Sequence, residues 1–204
     1  ADSHRVLPLL HRSLMGFAGK LPESPATKLQ QRFRTISFAN LALTGKLLKI
    51  LELFREHHIP AIAYKGPALA QSAYGDITLR QFNDLDILTR KQDVGKIKEL
   101  MLSNGCQPAW HLTESQEAAV LRLYYEYPFI WSDGAKLIEI HWQFAEPFFS
   151  FAFDLDEIWA RSESVEIRGN YVCTLSLEDS LLVLCAHGPA AAPINRRRAR
   201  IRPR

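Results

Sequence analysis

Two aspartates inside an otherwise apolar segment constrain the fold of this chain more than any other feature. In the run DLDILT, residues 84–89, Asp84 and Asp86 alternate with apolar side chains. Because side chains of a β-strand alternate between the two faces of a sheet, a strand over this run projects both carboxylates from one face. Neighbouring carboxylates repel each other and are costly to remove from water unless a cation lies between them. The run therefore predicts either a solvated strand end or a cation site.

A third carboxylate lies in a second candidate strand, KLIEIHW at residues 136–142, where Glu139 and His141 share one face of the alternating pattern. If this strand neighbours strand 84–89, three carboxylates meet at one point. Such hard oxygen ligands suit one or two Mg²⁺ ions. Glu139 by itself is equally consistent with an exposed strand residue. For His141 two interpretations remain open, a ligand of metal or substrate and a hydrogen-bonded structural histidine.

The segment before these aspartates predicts a phosphate-binding turn. The apolar run AIAY, residues 61–64, indicates a buried strand that ends at Lys65-Gly66, and Pro67 suits the first turn of a helix over 67–74. Glycine lets the backbone approach a ligand closely, and a helix N-terminus with a nearby ammonium group attracts phosphate. A plain strand-to-helix turn with a surface lysine accounts for the same residues, so both interpretations stay open.

Arg80 lies in the segment DITLRQFN, residues 76–83, whose composition predicts a loop. A guanidinium group four positions before Asp84 is consistent with two roles. One is to bind a phosphate group of a ligand, and the other is to form a structural ion pair with that aspartate. The sequence does not decide between them.

The remaining patterns predict helices around a mixed sheet. Apolar residues at helical spacing from Lys28 to His58 indicate one long or two consecutive amphipathic helices. The turn signal SDG at 132–134 joins strands 125–131 and 136–142 into a β-hairpin. The other predicted elements are a helix within 1–19 that ends at Gly16 or Gly19, a loop over 21–27, helices over 92–104, 114–122, 154–160 and 177–187, and a strand or hairpin over 164–174. This order favours an α/β or α+β domain with a mixed sheet.

The positive charge of the chain is confined to its last residues. The formal net charge is +3, but residues 188–204 contain six arginines and no acidic residue, which leaves −3 for residues 1–187. One interpretation of this Pro/Ala/Arg-rich segment is a disordered arm that binds nucleic acid or a membrane surface. The other, which we favour, is a non-native sequence at the end of a truncated or frame-shifted chain. The basic composition therefore says little about the partners of residues 1–187.

Composition also bears on cellular location. No apolar run reaches the roughly 18 residues that a transmembrane helix needs, and the N-terminal residues lack the pattern of a secretory signal. Cys106, Cys173 and Cys185 form no short-spaced pair, so neither a disulfide framework nor a zinc knuckle is indicated. We therefore expect a cytoplasmic protein with no membrane partner.

Taken in order, these motifs resemble a known family. The run IPAIAYKGPALAQSAYGDITLRQFNDLDIL, followed by a helix, by LIEIHW and by LSLEDSLLVLCAHG, is similar to the bacterial uncharacterised nucleotidyltransferase family of the DNA polymerase β superfamily. Members carry Lys-Gly after the first strand, an arginine a few residues before Asp-Leu-Asp, and a Glu-x-His-Trp strand. The resemblance runs from about residue 30 to His187, which is most of the chain.

The resemblance implies a Mg²⁺-dependent enzyme that transfers a nucleoside monophosphate from an NTP, such as ATP, to an acceptor hydroxyl. Asp84 and Asp86 would then be the paired ligands of one or two Mg²⁺ ions, and Glu139 the third catalytic and metal-binding carboxylate. The acceptor is left open among a small molecule, a peptide, a protein and an RNA end. Nucleic acid is expected as a partner only through the arginine tail.

On the phosphate side the chain departs from the superfamily pattern. Lys65 and Gly66 stand where the superfamily usually has Gly-Ser in contact with the triphosphate, and 18 positions separate Gly66 from Asp84. Arg80 is the third candidate for binding the nucleotide phosphates.

The resemblance also implies a domain organisation. A helical region over residues 1–58 would pack on a nucleotidyltransferase-like domain over 59–187, with 188–204 as the tail. In the family the last helix leads into a further helical region, and here the arginine tail stands in its place. The alternative function is therefore a catalytically impaired nucleotide-binding or regulatory module that lacks its C-terminal acceptor-binding region.

Overall fold

The computed structural model describes residues 5–16, 22–132, 137–145 and 153–190, and within these ranges the chain forms seven α-helices and seven β-strands. The helices are α1 (Leu7–Met15), α2 (Glu23–Glu56), α3 (Gly66–Tyr74), α4 (Val94–Ser103), α5 (Glu114–Leu123), α6 (Leu155–Ala160) and α7 (Leu177–Ala190). The strands are β1 (Ala61–Ala63), β2 (Asp84–Thr89), β3 (Cys106–Pro108), β4 (Glu126–Trp131), β5 (Leu137–His141), β6 (Glu163–Ile167) and β7 (Asn170–Thr174). None of the described helices is both long and apolar enough to span a membrane.

Five strands form one mixed sheet in the order β1-β2-β5-β4-β3, and β6 pairs with β7 in a separate hairpin. In the large sheet β2 is antiparallel to β1 and parallel to β5, whereas β4 is antiparallel to both β5 and β3. Parallel neighbours need a long connection, and α4, β3, α5 and β4 supply it between β2 and β5. The predicted fold class, a mixed sheet flanked by helices, is confirmed.

The apolar face of the two central strands builds the main core. Leu85 and Ile87 of β2 and Ile138 and Ile140 of β5 are at most 1% exposed, and they pack in one cluster with α2 and α4. The helix residues of this cluster are Leu43, Leu47, Ile50, Phe54, Val94, Ile97 and Met101. Burial of a side chain of this size contributes about 1.5–3 kcal/mol relative to exposure. The second half of the long helix is therefore anchored firmly against the sheet.

The opposite face of the sheet carries a smaller apolar cluster together with the carboxylates. Leu88 and Asp86 lie two positions apart on β2 and so project from this same face. The cluster consists of Ile62, Tyr64, Leu88, Phe144, Ile158, Leu175 and Val183. Residues from α6 and α7 thus cover one part of this face, next to the polar side chains.

The loop predicted over residues 21–27 is wrong from residue 23 onward, because α2 begins at Glu23. Pro25 is compatible with this start, since the N–H groups in the first turn of a helix have no partner within the helix. A glutamate in that turn also interacts favourably with the helix dipole. The prolines and polar residues of this segment therefore mark the beginning of a helix.

The edge strand β3 is not predicted by the sequence patterns. Three residues are too few to show an alternation of apolar and polar side chains. The strand exists because Cys106 pairs with Trp131 and Pro108 with Phe129 of β4. Its edge position tolerates a proline, which has no N–H group to donate to a second neighbour.

The prediction of a strand or hairpin over 164–174 is confirmed as a hairpin. Ile167 of β6 pairs with Asn170 of β7, which leaves Arg168 and Gly169 as a two-residue turn. Their φ angles are +52° and +79°. Positive φ at both positions matches the twist of the flanking strands.

Two predictions extend beyond the described residues. Most of the predicted hairpin turn lies in 133–136, and residues 191–204 hold all six arginines of the tail. Before that segment α7 continues to Ala190, three residues past the predicted end at His187.

Asn40 of α2 connects the long helix to the loop that leads into β2. Its side-chain amide donates hydrogen bonds to the carbonyl oxygens of Ile77 and Arg80, each over 2.8 Å, and the residue is only 1% exposed. Leu79 and Phe82 of the same loop are buried as well. The path of the chain just before Asp84 is therefore set by contacts with the helix.

The substitution Asn40→Leu should destabilise the fold by about 2 kcal/mol, because it removes the donor of a buried carbonyl oxygen, that of Ile77, and of a partly buried one, that of Arg80. Urea unfolding measures this change as a lower midpoint at an unchanged m-value. Thr35→Ala is the matched control, since Thr35 also makes a side-chain bond to a carbonyl, that of Gln31, but on the exposed side of α2. The control should change stability by no more than about 0.5 kcal/mol. Equal stability of Asn40→Leu and the wild type would contradict this role.

Candidate functional site

The register of the parallel strands creates the candidate site. Asp86 of β2 lies directly opposite Glu139 of β5, and Leu88 lies opposite His141. Directly opposed residues of neighbouring strands project from the same face of a sheet. The sequence-based condition that strands 84–89 and 136–142 be neighbours is therefore met, and two of the three predicted carboxylates lie side by side.

A histidine joins these two carboxylates. Nε2 of His141 lies 3.5 Å from Oδ1 of Asp86 and 3.6 Å from Oε2 of Glu139. One ligand atom from each of the three residues falls within 4.8 Å of the others, a spacing that a single metal ion can bridge. Asp84 is not part of this group, and the structure places it two residues earlier, at the first position of β2.

Lys65 contacts the same cluster. Its ammonium group donates a hydrogen bond to Oδ1 of Asp86 over 2.8 Å, and the two side chains are 18% and 2% exposed. The interpretation of Lys65 as an ordinary surface lysine is therefore wrong. As the residue immediately before α3, it holds its cation at the carboxylates.

The charges of this cluster are mutually dependent. Burial favours the uncharged form of Asp86, but the adjacent His141 and Lys65 outweigh it and hold the pKa of Asp86 well below its usual range. Burial likewise favours the uncharged form of His141, but Asp86, Glu139 and Glu126 raise its pKa to about 9. In the absence of a metal ion, Asp86 is therefore ionised and His141 is a cation.

Sequence reasoning missed Glu126 of β4. It lies opposite His141 in the antiparallel β4–β5 register, and its Oε2 is 3.6 Å from Nδ1 of His141. Burial is the main reason why the pKa of Glu126 is raised. A signal was present, because a two-residue turn at Asp133-Gly134 implies the pairing of Glu126 with His141.

Tyr64 was also missed as a part of the site. Its ring packs edge-on against His141, with 5.3 Å between the ring centroids, and its hydroxyl is buried without a hydrogen-bond partner. Burial, together with the nearby Asp86 and Glu139, raises the pKa of this hydroxyl well above its usual value. Tyr64 is therefore neutral and forms a wall of the site.

Asp84 and Arg80 lie close enough to the cluster to sense its charge. Burial, followed by the charges of Asp86 and Glu139, raises the pKa of Asp84. Burial lowers the pKa of Arg80, and the charges of Asp86 and Asp84 oppose that effect. Among the described residues Arg80 forms no ion pair with Asp84, so its charge is balanced only at longer range.

Gly66 has a structural reason to be glycine. Its φ is +54°, and a Cβ atom at this position would lie 3.2 Å from the backbone oxygen of Asp84. Any other residue would be strained in its backbone and crowded against β2. The glycine thus allows the start of α3 to approach the strand that carries the aspartates.

The donor set fits a divalent cation. Oδ2 of Asp86 is buried and has no hydrogen-bond partner, which is unusual for a carboxylate oxygen in a protein interior. Four carboxylates, those of Asp84, Asp86, Glu126 and Glu139, share this region with four cations, those of Arg5, Lys65, Arg80 and His141. The unsatisfied oxygen of Asp86 favours an added cation.

The fold defines a class of protein. A putative nucleotidyltransferase from Thermotoga maritima superposes with a TM-score of 0.52 at 15% identity, covering 73% of this chain and 86% of that one. The solution structure of the antibiotic-resistance factor ANT(2'')-Ia gives a TM-score of 0.54 at 16% identity, covering 76% and 77%. The lincosamide antibiotic adenylyltransferase LnuA, bound to lincomycin, gives 0.50 at 16% identity, covering 68% and 83%. The chain therefore has the nucleotidyltransferase fold.

The particular family follows from the sequence itself. The model of the uncharacterised nucleotidyltransferase family matches residues 1–198, nearly the whole chain. The protein belongs to this family and is an enzyme of the nucleotidyltransferase type, which confirms the predicted resemblance.

Lys65→Met should destabilise the fold by about 3 kcal/mol, because it leaves the buried charge of Asp86 without its closest cation. Urea unfolding at neutral pH measures the change. Arg55→Met is the control, since Arg55 forms an ion pair with Glu52 in which both side chains are at least half exposed. That control should have no resolvable effect, because exposed ion pairs contribute little. Equal effects of the two substitutions would contradict the importance of the buried pair.

Proposed function

We propose that this protein transfers a nucleoside monophosphate from an NTP to an acceptor hydroxyl in a Mg²⁺-dependent reaction. The observation that carries the proposal is the in-register pairing of Asp86 with Glu139, next to Lys65 at the start of α3. Family membership and the fold support the same reaction class. Adenylyltransferases occur among the proteins of similar fold.

Asp84, Asp86 and Glu139 would hold one or two Mg²⁺ ions, since carboxylate oxygens are the ligands that this ion prefers. Oδ2 of Asp86, buried and without a partner, is the atom whose environment most requires a cation. When bound, the ions neutralise the charge of the NTP phosphates and polarise the α-phosphate.

Lys65, Gly66 and Arg80 would bind the nucleotide phosphates. The N–H groups at the start of α3 and its dipole attract anions, and the helix has nine residues. Lys65 already lies at the carboxylate cluster, so a phosphate held there would be adjacent to the metal ligands. Arg80 is half-buried and senses the charges of Asp86 and Asp84, so a phosphate bound at the carboxylate site would lie near its guanidinium group.

Glu139 is suited to assist the attacking hydroxyl. Its side chain is 14% exposed, compared with 2% for Asp86, so an acceptor can reach it. In the transfer the acceptor oxygen forms a bond to the α-phosphorus, and the bond to the pyrophosphate oxygen breaks. The acceptor proton passes to Glu139 or to water. Catalysis would come mainly from charge neutralisation and in-line positioning of the reactants.

The acceptor is a hydroxyl compound whose class remains to be tested. One neighbouring fold, ANT(2'')-Ia, is solved in complex with adenylyl-2''-tobramycin, and LnuA is bound to lincomycin. Identities of 15–18% to these chains support the shared fold and not a shared acceptor. A test panel therefore includes an aminoglycoside and a lincosamide beside peptides, proteins and RNA ends.

Asp86→Asn and Asp84→Asn should each lower Mg²⁺- and NTP-dependent pyrophosphate release, and label transfer from α-labelled NTP, by about 100-fold or more. The physical reason is that each substitution removes one charged ligand of the ion. Glu163→Gln is the control, because Glu163 lies on the separate β6–β7 hairpin and is exposed. Unchanged transfer in both aspartate variants would refute the assignment.

Thermal stability separates catalysis from binding alone. Mg²⁺–ATP should raise the Tm of the wild type, since a ligand bound to the native state stabilises it. Asp86→Asn should lose most of this shift. A Tm shift without pyrophosphate release, across the whole acceptor panel, would favour the nucleotide-binding or regulatory module instead of the enzyme.

A further inference from the structure

We propose that His141 is a further ligand of the divalent ion, through Nε2, and that Glu126 is the positioning residue that holds the other side of its ring. The inference rests on the proposed function, because it assumes an ion bound by Asp86 and Glu139. It adds a nitrogen ligand to a site whose predicted ligands are all oxygens.

The distances fit a common ion. Ligand atoms on adjacent corners of an octahedron with bonds of about 2.1 Å lie about 3.0 Å apart, and those on opposite corners about 4.2 Å. Nε2 of His141 lies 3.5 Å from Asp86 and 3.6 Å from Glu139, and all three ligand atoms are within 4.8 Å of one another. Both Nε2 distances therefore lie between the spacings expected for adjacent and for opposite ligands of one ion.

The burial of His141 points to a missing partner. The residue is 1% exposed, and neither ring nitrogen has a hydrogen bond. Oδ2 of Asp86 is in the same condition. Nε2 faces Asp86 and Glu139, whereas Nδ1 faces Glu126 on the other side of the ring. Buried polar atoms are almost always satisfied, so the unbonded Nε2 beside two carboxylates indicates a cation that binds between them.

The carboxylate of Glu126 lies beside Nδ1, the ring nitrogen of His141 that would not bind the metal ion. Its Oε2 lies 3.6 Å from Nδ1 of His141, and the strand register places the two residues opposite each other. Metal-binding histidines commonly donate their second N–H group to a carboxylate, which fixes the ring and makes the ligating nitrogen more basic. The rings of Tyr64 and Tyr125, with centroids 5.3 Å and 6.1 Å from that of His141, restrict its rotation further.

The alternative is that His141 remains an imidazolium that pairs with the carboxylates beside the ion. The two cases differ in one bond. Coordination requires Nε2 without its proton, which is released to solvent as the ion binds. A direct metal–nitrogen bond is therefore the observation that separates them.

The choice of metal follows from the donor set. Mg²⁺ strongly prefers oxygen ligands, whereas transition ions also accept imidazole. If His141 is a ligand, His141→Gln should therefore weaken the binding of Mn²⁺ more than the binding of Mg²⁺. Calorimetric titration of the whole chain and of this variant with each ion alone measures the difference.

The deciding experiment is electron spin-echo envelope modulation on the whole chain loaded with Mn²⁺. We expect ¹⁴N modulation from a coordinated imidazole, replaced by ¹⁵N modulation when all histidines are ¹⁵N-labelled. His141→Gln should abolish the nitrogen signal, whereas the matched control His111→Gln, at an exposed position, should retain it. Glu126→Gln should retain the signal and weaken Mn²⁺ binding by about tenfold, because the second N–H group loses its charged acceptor.

The outcomes are distinguishable. Mn²⁺ that binds in an Asp86-dependent manner without any histidine modulation would overturn the ligand assignment and leave the proposed function in place. A chain that binds neither Mn²⁺ nor Mg²⁺ would overturn both. Because isotope labelling identifies histidine coordination in the wild-type chain, the test does not depend on the folding of His141→Gln.

Discussion

The parallel pairing of β2 with β5 is the constraint on which the rest of this structure depends. It places the charged Asp86 directly beside Glu139 in a sheet whose other face packs against the main apolar core. Like charges in such a position repel each other, and burial increases their cost. The arrangement is stable because two cationic side chains lie next to the carboxylates. Lys65, in the strand-to-helix turn, donates a hydrogen bond to Asp86, and His141 lies two residues beyond Glu139 on the same strand.

The apolar face of the sheet stabilises the same strands that carry the charged residues on the opposite face. Leu85 and Ile87 alternate with the aspartates, so the same strand contributes to the core on one face and to the site on the other. Packing against α2 and α4 holds the strand in place regardless of what binds to the carboxylates. Asn40 extends this support to the loop before Asp84, through hydrogen bonds to the carbonyl oxygens of Ile77 and Arg80. The long helix thus stabilises the fold and also positions the residues that lead into the site.

Several elements could be predicted from the sequence because their signals are local. The strand over 84–89, the helix that begins after Lys65 and the hairpin within 164–174 agree with the structure. The pairing of the two carboxylate-bearing strands was only a condition in the sequence analysis, and the structure meets it. The edge strand β3 could not be predicted, since three residues show no periodicity and only the partner strand β4 creates it. The start of α2 was misplaced because proline is accommodated both in loops and in the first turn of a helix.

The roles of individual side chains divide in the same way. Local alternation was enough to place Asp84 with Asp86 on one face of their strand, and Glu139 with His141 on one face of theirs. The contacts of Lys65 with Asp86 and of Glu126 with His141 join positions 21 and 15 residues apart, so they depend on strand order and register. His141 shows the limit most clearly. From its sequence position, this residue could be either a ligand or a structural histidine. Its charge depends on the carboxylates of Asp86, Glu126 and Glu139, which come from three different strands.

The sequence by itself therefore determined the class of the domain, the faces of its strands and the residue types available for binding a cation, because periodicity and residue chemistry are properties of short segments. The tertiary structure alone decided which of those residues meet. It brought His141 and Glu126 to the carboxylates and set Asp84 apart from the closest group of three. The physical reason is that burial, ion pairing and ligand spacing depend on distances between strands, and these are set by the packing of the whole sheet.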